Sequence, residues 1–112
     1  MQLKPVEWIR HSLVILDQTK LPEKEERMVC NNVNDVYDAI KLLKVRGAPL
    51  IGITAAYGIL VGLLERRPVE TSKMKESVKE IGEYIKSARP TAVNLEWAID
   101  RMVKKSERLQ DN

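Results

Sequence analysis

The sequence predicts an α+β fold: a small antiparallel sheet of about three strands over residues 4–31, then a bundle of about four helices over 33–110. Three features point to it. Val6 and Trp8, then Leu13 and Ile15, stand at the spacing of two that places side chains on one face of a strand. From Val36 onward, apolar residues recur at spacings of three and four, which is one face of a helix. Gly47, Pro49, Pro68 and Pro90 punctuate the helical stretches and divide them.

Each element follows in order. Val6 to Asp17 reads as a hairpin or two short strands, with His11 at the bend, and Leu21-Pro22-Glu23 breaks the pattern with a loop. Glu26 to Asn31 reads as a third strand with Met28 and Cys30 on one face. Asn32 or Asn34 caps a first helix carrying Val36, Ile40 and Leu43 at i, i+4 and i+7, and Gly47 ends it at the C-terminal cap. Pro49 opens a second helix running to about Leu64, because proline fits a first helical turn. Thr71 or Ser72 caps a third, with Met74, Val78, Ile81 and Ile85 inward. It ends near Ala88, because Pro90 drives Arg89 out of helical geometry. Thr91 caps a fourth that turns Leu95, Ala98, Ile99 and Met102 inward. The charged tail from Lys104 to Asn112 is expected to fray.

Composition narrows the function classes. A chain of 112 residues suits a single domain spanning 1–112. It is 44% hydrophobic and lacks Phe, so Leu, Ile and Val fill the interior. Its 19 basic and 16 acidic residues leave a net charge of +3, too small and too dispersed to imply nucleic acid. One cysteine excludes an internal disulfide framework and fits a reducing compartment. The lone His11 argues against a histidine metal cluster. No charged residue falls between Ala48 and Leu64, a run just under the roughly 20 residues that span a bilayer. The amphipathic segments around it favour a central helix buried on nearly all sides over a membrane span.

The segment Val45-Arg46-Gly47-Ala48-Pro49 carries the candidate site. A helix N-terminus offers unpaired backbone N–H groups and a partial positive charge, so anions settle there. Arg46 precedes such a terminus, arginine's planar fork matches phosphate oxygens, and Gly47 lets backbone approach a ligand. Arg46, Gly47 and Ala48 thus form a candidate phosphate cradle. Arg89-Pro90-Thr91-Ala92 repeats the arrangement. The plainer reading of both is an arginine serving a helix-end dipole beside a cap. Asp17-Gln18 reads as a turn cap, Cys30 as half-buried packing rather than a nucleophile, and Trp8 and Trp97 as core or interface anchors.

Three stretches together resemble the N-terminal region of methylthioribose-1-phosphate isomerase: Ser12-Leu13-Val14-Ile15-Leu16-Asp17-Gln18 with Leu21-Pro22, Val45-Arg46-Gly47-Ala48-Pro49 with Ile51-Gly52, and Ala88-Arg89-Pro90-Thr91-Ala92-Val93-Asn94-Leu95 with Trp97. Ribose-1,5-bisphosphate isomerases and translation initiation factor 2B regulatory subunits share the wider plan. The resemblance implies an aldose–ketose isomerase of methionine salvage that converts 5-methylthioribose 1-phosphate to 5-methylthioribulose 1-phosphate. It implies substrate contacts at Arg46, Gly47, Ala48 and Arg89, no metal or organic cofactor, a cytoplasmic location and a homodimer, without nucleic acid or membrane partners. The family's catalytic cysteine and aspartate belong to a C-terminal Rossmann-like domain, and Cys30 does not match that cysteine's motif. The expectation is therefore an N-terminal domain without its catalytic partner, holding no catalytic residue and inactive by itself. The alternative is a non-catalytic assembly or regulatory module of the initiation-factor type, and the blandest reading is a helical scaffold with no ligand.

Overall fold

The computed structural model describes residues 4–42, 44–45 and 47–108, with Ala48 in its backbone only. Strands β1 (Val6–Ile9), β2 (Ser12–Leu16) and β3 (Arg27–Cys30) form an antiparallel sheet in the order β1-β2-β3. Helices α1 (Val33–Lys41), α2 (Ala48–Arg66), α3 (Thr71–Lys86) and α4 (Val93–Glu107) follow. The α+β arrangement is the one the sequence predicts. Arg10 and His11, at φ 48 and 68, make the bend between β1 and β2. Both torsions are positive, which suits the twist of a two-residue hairpin.

Register places the sheet's inner face. Val6 pairs with Ile15, Trp8 with Leu13, Ile15 with Met28 and Leu13 with Cys30, so these six side chains share one side. Leu13, Ile15 and Cys30 are fully buried there, against α1 and α2. The ring of Trp8 stacks on Tyr57 of α2 at 5.4 Å between centroids, fastening β1 to the bundle. Cys30 is thus completely enclosed, where the sequence reading left it half-buried; its strand faces the bundle instead of edging it.

Asn32 at the start of α1 and Pro49 in the first turn of α2 stand where the spacing favours them, while the other helix boundaries differ. Asn32 caps α1, its side chain accepting the Asp35 N–H at 2.9 Å. That helix stops at Lys41 with Leu42 as its cap, so Gly47 does not end it. Gly47 is instead the N-cap of α2. Leu43, the third member of the α1 stripe, lies outside the described residues. Glu70 and Ala92 occupy the caps of α3 and α4, displacing Thr71, Ser72 and Thr91 from that role. After Pro90 the chain needs two further residues of turn before it can coil, so Thr91 falls short of the helix. At the other end of α2, Arg67 turns left-handed at φ 47 and gives its N–H to Leu63 O.

The core joins Leu13 and Ile15 to Val36, Ile40, Ile59, Ile81, Ile85, Leu95 and Ile99. Helix α2 touches every other helix and the sheet. It is long and apolar enough to cross a membrane, and it is the central helix here. It is not buried on nearly all sides, however. Ile53 and Leu60 are 49% and 39% exposed, because α1, α3, α4 and the sheet cover only part of its circumference.

Glycines set the spacing around α2. A Cβ at Gly58 would lie 2.7 Å from Val36 Cγ1 and 2.9 Å from Ile85 Cδ1. Val36 is β-branched and fully enclosed, so it has nowhere to move. Gly58→Ala is therefore expected to lose stability. Overpacking costs about 1–3 kcal/mol, against about 1 kcal/mol gained in helix propensity. Gly52→Ala should do the opposite. Its new Cβ meets Ala98 Cβ at an ordinary 3.5 Å, leaving the propensity gain of about 0.5–1 kcal/mol. Urea midpoints at unchanged slope, one below wild type and one above, check both.

Candidate functional site

Two helix mouths open onto one cleft. Gly47 holds φ 92 and ψ 131, a conformation that side-chain-bearing residues avoid. A Cβ there would touch nothing within 4 Å, so torsion, not space, demands the glycine. Its carbonyl accepts the Ile51 N–H at 3.0 Å, closing the first turn. Pro49 brings no N–H, and among the described residues no side chain caps the turn. Among the described residues nothing caps the amides ahead of Ile51, and the positive end of the helix dipole lies behind them.

The second mouth is built by the Ala88–Ala92 turn. The Ala92 N–H donates to Arg89 O at 3.0 Å, and Ala92 O in turn accepts the Glu96 N–H at 3.1 Å. Ala92, with only a methyl group, offers no side-chain cap to α4. The start of α3 is likewise uncapped, so a bare helix start marks nothing by itself. What sets the other two apart is their convergence. Gly47 and Ile51 face Arg89, Ala92, Val93, Asn94 and Leu95 across a cleft of about 350 Å³. Arg89 is half-buried there and makes no ion pair among the described residues.

Of the four residues singled out from the sequence, Gly47 and Arg89 therefore share one cleft. Ala48 begins α2 immediately behind Gly47. Arg46 lies outside the described residues. Asn94 was missed as a lining residue. It also borders a larger cleft of about 490 Å³ between α2 and α4, which runs past Pro49, Gly52, Ile53 and Met102 to Trp97. Trp97 is 60% exposed, with the Arg101 guanidinium 5.3 Å from its ring, so it belongs to the surface and not to the core. Among the described residues no group of three or more His, Cys, Asp or Glu side chains could hold a metal ion.

A buried carboxylate faces Lys44, three residues before Gly47. Asp17 is 4% exposed and caps the short 3-10 turn Gln18–Lys20 as the sequence reading expected. One oxygen accepts both the N–H and the hydroxyl of Thr19, and the other lies 3.8 Å from Lys44 Nζ. Burial pushes this carboxyl up. The Thr19 hydrogen bonds and the charges of Lys44 and Lys20 outweigh that and hold it below its ordinary 3.8. Cys30 shows the reverse: burial, then the charge of Asp35, push its thiol up to about 12.

Residues 44–112 match the sequence pattern of the Initiation factor 2 subunit family, more than half of the chain. The chain belongs to this family. Among its relatives are a methylthioribose-1-phosphate isomerase of Caldicellulosiruptor saccharolyticus, 47% identical over 91% of this chain, and a 5-deoxyribose 1-phosphate isomerase of Petrotoga mobilis, 42% identical over 92% of it. The chain spans 29% and 30% of the lengths of those two proteins. Two solved family structures superpose on it. The 5-methylthioribose 1-phosphate isomerase of Pyrococcus horikoshii does so with a TM-score of 0.90 at 31% identity, over 99% of this chain and 31% of its own. The translation initiation factor eIF-2B subunit delta of A. fulgidus does so with a TM-score of 0.88 at 40% identity, over 98% and 32%.

Two outcomes follow from the buried groups. Cys30 in the folded chain should resist iodoacetamide at pH 8 and react in urea at the rate of a free thiol, as mass spectrometry would show. Asp17, with its folded value lowered, contributes stability that is complete above pH 3.8 and is lost as pH falls through the folded value. Urea midpoints followed from pH 6 down to pH 2 should therefore fall less steeply in Asp17→Asn than in the wild type.

Proposed function

We propose that this chain is the N-terminal substrate-binding part of a cytoplasmic, homodimeric aldose–ketose isomerase acting on 5-methylthioribose 1-phosphate. The observation that carries the reading is the cleft between the starts of α2 and α4, with Gly47 on one wall and Arg89 on the other. Relatives named for isomerisation of a sugar 1-phosphate support the choice of ligand.

The chemistry assigned to these residues is a grip on the phosphate. The uncapped amides of α2 and α4 and the Arg89 guanidinium all favour a dianion, and Arg46, next to Gly47 in sequence, adds a second guanidinium. A phosphate on the anomeric carbon hinders ring opening, so isomerisation needs that group held and its charge offset while the sugar opens. The proton or hydride shift beside the carbonyl falls to residues beyond this chain. Cys30, enclosed and with its thiol raised to about 12, is a poor nucleophile.

Calorimetric titration with 5-methylthioribose 1-phosphate tests the reading. The chain should bind it, and Arg89→Ala should bind at least tenfold more weakly, the loss of a hydrogen bond to a charged group being about 1.5–3 kcal/mol. A coupled isomerase assay on the chain alone should show no turnover. The similarity to the subunit delta structure favours a second reading, a regulatory module without catalysis. In that case the chain binds sugar phosphates without preferring 5-methylthioribose 1-phosphate over ribose 5-phosphate, and no binding of either leaves a helical scaffold without a ligand.

A further inference from the structure

Lys44 opens the segment that leads to Gly47, and it is fixed at both its backbone and its side chain. Its N–H donates to Ala39 O at 2.9 Å, tying it to α1. Its carbonyl accepts the Gln18 N–H at 2.9 Å, tying it to the end of β2. Its ammonium lies 3.8 Å from the Asp17 carboxylate and 3.9 Å from Met28 Sδ. Val45, the next residue, is fully buried. Asp17 is itself held rigidly: its N–H donates to Glu26 O at 2.8 Å and its carboxylate is braced by Thr19. Only three peptide steps separate Lys44 from Gly47, a span of at most about 11 Å.

We infer that Asp17 is a positioning residue for the cleft: through Lys44 it fixes the chain where it enters α2, at Lys44 and Val45, and so sets where Gly47 and the first turn of α2 stand. A carboxylate this enclosed is retained for its partner, because a buried charge without one is costly. That partner, Lys44, stands three residues before Gly47, which lines one wall of the cleft. This rests on the reading of the cleft as a phosphate site in what the segment is positioned for, but not in the tether itself.

Three variants separate the effects. Asp17→Asn keeps an acceptor for Thr19 and removes the charge facing Lys44. Lys44→Met keeps the apolar stem and removes the ammonium. The third combines both. Amide hydrogen exchange in the 112-residue chain is read by NMR at Lys44, which reports its bond to Ala39, and at Ile51, which reports its bond to Gly47. Ile81 and Ile85 in α3 report general loosening. Each single variant should speed exchange at Lys44 and Ile51 at least threefold relative to α3, with the double variant no faster than either single. Equal acceleration everywhere, or none at Ile51, would overturn the inference. Inorganic phosphate titrated into the same samples judges the ligand separately. Weaker binding in Asp17→Asn than in wild type supports both ideas. Faster exchange with no phosphate binding in any sample leaves the tether standing and removes the phosphate site.

Discussion

Close approach between helices at glycines is the constraint on which the rest of this fold depends. Gly58 admits Val36 of α1 and Ile85 of α3 against the α2 backbone, and Gly62 admits Ile81. One layer further out, Gly82 of α3 admits Ile99 of α4, whose Cγ2 would lie 2.7 Å from a Cβ at that position. These contacts seat α3 on α2 and α4 on α3 with little freedom to slide, since packed side chains at such distances cannot be displaced cheaply. The position of the α4 start relative to the α2 start follows from this packing together with direct contact between the two helices, where Gly52 brings α2 beside Asn94 and Ala98 of α4. The cleft inherits its geometry from that packing.

The sheet makes a second contribution, along the middle of α2 and at its start. Its inner face carries Leu13, Ile15 and Cys30 into the core, and Trp8 anchors it on Tyr57. Where β2 runs out, Asp17 and Gln18 reach the segment that opens α2. One wall of the cleft is thus attached to the sheet, and the other wall, at Arg89, is attached to α3. A phosphate held between them would touch residues placed by independent parts of the core, which is a way to fix a ligand without a long binding loop.

Much of the architecture was legible because it is written locally. Alternation marked the strands, Asn32 or Asn34 marked the start of α1, and Pro90 separated α3 from α4. Gly47 was read as the end of α1 when it is the beginning of α2, because a glycine between two helices serves either purpose and only its torsion decides. Thr71 and Thr91 were read as caps because a hydroxyl near a helix start is a good cap; the true first turns lie elsewhere by one or two residues. Spacing pointed to Gly47 and Arg89, but no pattern in the sequence could put them on one cleft. The pairing of Asp17 with Lys44 was hidden for the same reason. It joins residues far apart in the chain, and the turn-capping role of Asp17 already accounted for its presence.

The central claim is that the starts of α2 and α4 form one anion site. An ¹⁵N-correlated NMR titration of the chain with inorganic phosphate, with chloride held constant, tests it most directly. The account predicts saturable shifts concentrated at the amides of Gly47, Val93, Asn94 and Leu95, all following one binding curve. Shifts at one helix start without the other, or shifts scattered over the exposed lysines of α3 such as Lys73, would contradict it.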